Sequence, residues 1–259
     1  METGKIYAVL TGDLIGSSRF KIKEREEILT ILKDSFKIIS PDVIESQFVV
    51  FRGDSFQGVL SRPDEALNAA LNIRSSLLSK FKGKKTRLDA RIAIGIGMID
   101  YLPRDKAGEG DGEAFRNSGP ELDKMKKGEQ NLVIRTPWTE INEEIRTECA
   151  LLDALIQRLT KEQAEAILYQ IQNPEFIFSN IMAHNPAQQQ EFQRLKQTQE
   201  WIAKILSISQ PALSQRLKTG GYWAVQAFLD RFKMIIQGKV REVNTRLEPY
   251  NPQNKAGDL

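Results

Sequence analysis

Ile6-Tyr7-Ala8-Val9-Leu10-Thr11-Gly12-Asp13 is the stretch on which the fold turns. Its apolar residues run together without helical spacing and stop at Thr-Gly-Asp, the pattern of a buried strand ended by a turn. Outward from it, Ile28, Leu29, Ile31, Leu32, Phe36 and Ile39 recur at helical spacing, so a helix is expected over 22–39, ended by Ser40-Pro41. Phe48-Val49-Val50-Phe51 reads as a second strand, joined through Gly53-Asp54 to a third over 55–60 as a hairpin. Pro63-Asp64-Glu65 then opens a helix carrying Ala66, Ala69, Ala70, Ile73, Leu77 and Leu78 on one face, its acidic first turn suiting the helix dipole. A long strand over 88–99 is centred on Arg91-Ile92-Ala93-Ile94-Gly95-Ile96-Gly97. After a charged, Gly-rich loop over 105–112 comes a helix over 114–126, which Pro120 is expected to kink or split and Gly128 to cap. A last strand spans 131–135. The order β-α-β-β-α-β-α-β predicts a mainly antiparallel sheet of split β-α-β type with an added α-β unit, its helices packed on one face.

From Trp138 onward only helical patterns occur: 141–159, 161–170, 187–196, a helix pair within 199–218, and 222–237. The expected division is a sheet domain over 1–137, a helical domain over 138–248 and a disordered tail over 249–259. Among 259 residues, 41% are hydrophobic and 27% charged, a globular balance. No apolar run approaches the roughly 18 residues of a membrane span, and the start of the chain is too short and weakly basic for a signal peptide. Membrane association is therefore not expected. The lone Cys149 forms neither an intrachain disulfide nor a cysteine-type zinc site, which points to the reducing cytoplasm. The lone His184 sits in the turn-like Ala-His-Asn-Pro and removes most His-based catalysis. The net charge of +3 says little, but residues 185–246 hold ten basic and four acidic residues, a balance that suits phosphate contact.

The most specific signal lies between Thr198 and Lys218. Ala203 falls where two helices would cross, and only a small side chain permits that approach. Ile202, Ile205 and Leu206 form the apolar face of the first helix, Ser207-Ile208-Ser209 the turn, and Leu213 and Leu217 the packing face of the second. Ser209 can N-cap the second helix, and Pro211 falls in its first turn. Gln210, Ala212, Ser214, Gln215 and Lys218 are left outside, short or polar residues suited to base edges plus a phosphate-binding lysine. The unit is expected to be a helix-turn-helix that binds DNA as a homodimer. Trp201, Trp223 and Phe228 are expected in the core of the helical part. Ile208-Ser209-Gln210-Pro211-Ala212-Leu213-Ser214 resembles the opening of the recognition helix in LysR-type bacterial regulators, with Ser207 standing where those have glycine.

In the first half, Gly12-Asp13-Leu14-Ile15-Gly16-Ser17-Ser18 and Arg52-Gly53-Asp54-Ser55 each place an aspartate at a strand end. Asp13 and Asp54 are expected to converge and hold Mg²⁺, which brings a triphosphate with it; capping of two turns is the plainer role for each. Residues 8–134 resemble class III nucleotide cyclases through Asp13-Leu-Ile-Gly16, Gly53-Asp54, Arg91-Ile-Ala-Ile-Gly95-Ile-Gly97 and Phe115-Arg-Asn117. The resemblance implies a ferredoxin-like, cyclase-like sheet and a nucleotide site including Gly16, Ser17 and Asn117. Two positions depart from the pattern. Val50 stands where cyclases carry a base-reading lysine, and Glu121 where an arginine stabilises the transition state. No catalytic residue is therefore assigned. Over nearly its full length the chain resembles the SatD family, which pairs such a module with a C-terminal helix-turn-helix. The overall expectation is an α+β protein that acts as a DNA-binding transcriptional regulator with a degenerate cyclase-like sensing or dimerisation domain. The alternative is a Mg²⁺-dependent nucleotide-processing enzyme.

Overall fold

The computed structural model describes residues 4–81, 87–103, 107–172 and 199–247. The helix expected at 187–196, the turn at His184 and the tail 249–259 lie outside them. The architecture is α+β: a five-stranded mixed sheet with helices around it. The strands are β1 (Ile6–Leu14), β2 (Ile44–Phe51), β3 (Ser55–Leu60), β4 (Ala90–Met98) and β5 (Leu132–Arg135). They lie in the order β2-β3-β1-β4-β5. β1 is antiparallel to both its neighbours and β5 is parallel to β4. The helices are α1 (Ile22–Lys37), α2 (Ala66–Lys80), α3 (Glu113–Met125), α4 (Thr139–Ile156), α5 (Lys161–Ile171), α6 (Gln199–Ile205), α7 (Gln210–Thr219) and α8 (Tyr222–Leu247).

β1 is buried along its whole length and runs on through Thr11-Gly12-Asp13 to Leu14, past the turn expected there, because it pairs on both sides with β3 and β4. Side chains alternate across a strand, so the run supplies two cores. Ile6, Ala8, Leu10 and Leu14 face α1 and α2, where they meet Ile28, Leu32, Phe36, Leu67 and Ile73. Tyr7 and Val9 face the other way, toward Val59 of β3 and Ala114 of α3. Helices therefore cover both sheet faces, which corrects the expectation of one. Glycine in β4 is the cause. A Cβ on Gly95 would stand 2.1 Å from the Ala114 carbonyl oxygen and 2.5 Å from the Ser118 nitrogen, so the α3 backbone lies directly on β4. Thr11 and Ser118 seal this contact with a 3.0 Å hydroxyl pair. Pro120 neither splits nor ends α3, which runs unbroken to Met125.

The apolar interior continues past Pro137. Ile141, Ile145, Leu152 and Ile156 of α4, Ile167 of α5, Trp201 of α6 and Leu213 of α7 belong to the same cluster as the inner face of β1. A buried charge network ties α4 to the sheet. Arg74 of α2, fully enclosed, donates to both oxygens of Asp89 at 2.9 and 2.8 Å and to Asp153 of α4 at 2.7 Å. The second Asp153 oxygen accepts the Asn131 amide at 2.6 Å. Arg87 caps the C-terminal end of α4 by donating to the carbonyls of Ile156 and Leu159 at 2.7 and 2.6 Å. Buried charges need this degree of pairing, because an unmatched one costs several kcal/mol.

Candidate functional site

Two groups of residues carry chemistry. The first is α6, its turn and α7. The turn holds because Ser207 takes a left-handed backbone with φ 54°, the conformation for which glycine is the usual residue. Beside it the Ile208 amide bonds the Ala203 carbonyl at 3.0 Å. Ser209 N-caps α7, accepting the Ala212 amide at 3.4 Å, and Pro211 sits in the first turn where no N–H is needed. Ala203, Leu213 and Leu217 are buried between the helices, and Ile208 packs partly buried against them.

The outward face of α7 presents Gln210, Ser214, Gln215 and Lys218, all exposed; Ala212 is half-buried at its edge. Residues four apart stack on one helical face, so Gln210, Ser214 and Lys218 form a row with Gln215 beside it. One further residue joins the group. The Gln210 side-chain amide donates to Gln199 Oε1 at 2.8 Å, which leaves the Gln199 amide and the Gln210 carbonyl as a donor and an acceptor side by side. Gln199 opens α6, eleven positions away, and nothing in the spacing singled it out. α7 is anchored to the body on its other side by Thr219 to Gln163 at 3.1 Å and by Arg216 near Glu165.

The basic excess of the C-terminal half is partly consumed inside the molecule. Arg231 pairs with Glu144 and Glu148, Lys233 with Glu65 at 2.5 Å, and Lys239 with Glu140 and Glu242. These cations hold α8 against α4 and against the turn before α2. The outer surface is accordingly less positive than the sequence count implies. Trp201 and Phe228 are buried as expected, but Trp223 is 75% exposed and leaves the expected core.

The second group lies at one end of the sheet. β1 pairs Asp13 with Ser55 on one side and Arg91 on the other, and the Leu14 amide bonds the Asp54 carbonyl at 3.0 Å. Both aspartates thus stand at the same strand ends. Their side chains have different partners. Asp13 is buried and contacts Arg91 at 3.3 Å. Burial pushes its carboxyl above the ordinary range against the pull of Arg91, and the nearby Asp54 adds to the rise. Asp54 accepts the Ser17 hydroxyl at 2.6 Å. A cavity of about 290 Å³ opens beside Asp54, walled by Leu14, Phe20, Ile28 and Leu29 and rimmed by Ser17, Arg25 and Arg52; Asp13 does not line it. Gly16, left-handed at φ 67°, turns the chain into this rim.

The two carboxylates are near enough for Asp54 to bear on Asp13, and Arg91 is the cation that Asp13 meets. Among the described residues no group of three or more His, Cys, Asp or Glu side chains converges for a metal. Asn117 is not brought to Gly16 and Ser17. It donates to the Ile96 carbonyl at 2.8 Å, five residues along β4 from Arg91, roughly 16 Å at strand spacing. Glu121 contacts Lys124 on the surface at 2.7 Å.

Scans for similar proteins return no matching family model, and no curated protein matches the chain. No described helix is long and apolar enough to cross a membrane.

Proposed function

We propose that the chain is a DNA-binding regulator, with α6 and α7 as a helix-turn-helix whose second helix enters the major groove. The observation that carries this reading is the outward row of α7, headed by the Gln199–Gln210 pair. An amide that offers a donor and an acceptor in one plane matches the N6 and N7 edge of adenine. Gln215 and Ser214 lie within the same face, and Lys218, one turn beyond, is placed for a phosphate. The strand order β2-β3-β1-β4 supports a ferredoxin-like reading of the sheet, which would then serve as a cyclase-like scaffold for sensing or dimerisation. The likeness to the SatD family rests on the motifs quoted above and accords with such a pairing. A cytoplasmic setting suits the lone, buried Cys149, whose thiol is pushed up to about 12 by burial and stays protonated. Enrichment of binding sequences from a random duplex pool by the full chain tests the reading. A defined motif is expected, and Gln215→Ala is expected to relax it at one position. Enrichment of no motif speaks against it.

A second reading is supported by the cavity beside Asp54: binding of a nucleotide, its phosphates met by Arg25, Arg52, Ser17 and the turn at Gly16. In this reading Asp13 and Asp54 would hold the Mg²⁺ that accompanies the phosphates. Equilibrium dialysis with labelled nucleoside triphosphates, with and without Mg²⁺, tests it. Retention of nucleotide that is lost in Arg52→Gly supports the reading, and no retention by the wild type removes it.

A further inference from the structure

Three of the exposed large hydrophobic side chains lie on α4 and α8: Leu151 at 67%, Trp223 at 75% and Met234 at 65% relative exposure. Exposed single apolar residues are ordinary, but a contiguous set around a groove is not. Leu151, Leu152 and Leu155 of α4 and Ala224, Ala227 and Phe228 of α8 line a groove of about 440 Å³, with Trp223 at its lip. Its charged members, Glu148 and Arg231, are paired to one another at 2.7 Å, so the walls are neutralised. Farther along α8, exposed Met234 and half-buried Gly238 follow on the same side, and nothing stands within 4 Å of a Cβ built on Gly238.

We propose that this groove joins two copies of the chain about a two-fold axis, each copy placing Trp223 in the groove of the other. The face carries both a projecting indole and an apolar slot. A two-fold contact needs that self-complementarity, because one patch must meet itself. The area is adequate. An aromatic side chain buries about 150–250 Å², so Trp223 alone supplies about a quarter of the ~800 Å² per partner of a standard interface, and the groove walls with Leu151 and Met234 add to it. Half-buried Gly238, with nothing within 4 Å of a Cβ built on it, lets a second α8 approach closely farther along. Trp223 also stands four residues past the end of α7. The contact therefore sets two α7 helices on either side of one axis, the arrangement that reads two half-sites a helical turn apart. The association itself does not depend on the DNA-binding reading.

Sedimentation equilibrium of the full chain tests the proposal with two variants that alter exposed positions, Trp223→Ala and Ala227→Arg. The first removes the projection and the second blocks the slot. Wild type is expected to be a dimer and each variant alone a monomer with an unchanged circular dichroism spectrum. Mixing the two variants is expected to restore part of the dimer, because the blocked copy retains its indole and the other copy retains its slot. A monomeric wild type overturns the proposal, as does a dimer that either variant leaves intact, or a mixture that stays monomeric. Dimerisation without DNA binding leaves this proposal standing and removes only the DNA reading.

Discussion

At the residue scale, positions under strain or under burial show what the fold depends on. Arg74 neutralises Asp89 and Asp153 in a site closed to water. Arg74→Met keeps the volume but strands two buried carboxylates. It is expected to destabilise the protein by about 3–5 kcal/mol, measured by urea unfolding. Arg74→Lys is expected to rescue part of this, because an ammonium cannot make the two-pronged contact with Asp89. Ser207 is the opposite case: its left-handed backbone costs about 1 kcal/mol that glycine does not incur. Ser207→Gly is expected to raise the unfolding midpoint and leave DNA affinity unchanged. A loss of stability in that variant would show that the Ser207 side chain makes a contact that matters. Arg74 could not be singled out from sequence, since its partners lie 15 and 79 positions away. Ser207 could, because local backbone geometry is a property of adjacent residues.

At the scale of elements, the strands and helices followed from local periodicity, and the mismatches came from tertiary contact. β1 and the β2–β3 hairpin are centred on the expected apolar runs, but β1 extends to Leu14 and β2 begins at Ile44. The face occupied by α3 could not be inferred, because it depends on which strand offers a glycine track across the sheet; Gly95 does. Trp223 departs from the core reading of an aromatic at helical spacing, because it stands at the open lip of the groove between α4 and α8. Of the proposed reading face, the outward side chains of α7 were visible in the sequence, but the Gln199 partner required the crossing of two helices. The ion pairs that draw positive charge inward join residues as far as 168 positions apart. Two predictions belong here. The proposed role of α7 requires that Gln210→Ala and Gln215→Ala each weaken specific DNA binding by about 1–3 kcal/mol, measured by fluorescence anisotropy. The second concerns the seat of α8 on the turn before α2. Burial alone would push the Asp64 carboxyl up, but bonds from Arg62 and from Gln237 of α8 outweigh it and hold the group below its ordinary range. The folded form then favours the ionised group, so its stabilisation is present above the unfolded value, about 3.9, and is lost as pH falls through the lower folded value. Asp64→Asn is expected to be less stable than wild type at neutral pH, with the gap in melting temperature closing under acid. An unchanged gap would mean that the effect is steric.

At the scale of the whole molecule, one apolar cluster runs from the inner face of β1 through α4 and α5 to α7. A continuous core unfolds as a unit. The strand signal in circular dichroism and the fluorescence of buried Trp201 are therefore expected to change together in urea; two separated transitions would place a break near Pro137. The same continuity gives the proposed reading helix a rigid base, since α7 is held by α5 through Gln163 and Glu165 rather than by a flexible linker. The outward face of α7 is proposed to bind DNA. The most direct test is a salt titration of full-length protein against its enriched duplex, comparing wild type with Lys218→Ala. Log affinity is expected to fall linearly with log salt, and Lys218→Ala to weaken binding to all sequences while reducing the slope by about 0.9, one phosphate contact. Absence of binding to any duplex at low salt, or binding that Lys218→Ala and Gln215→Ala leave untouched, would contradict it.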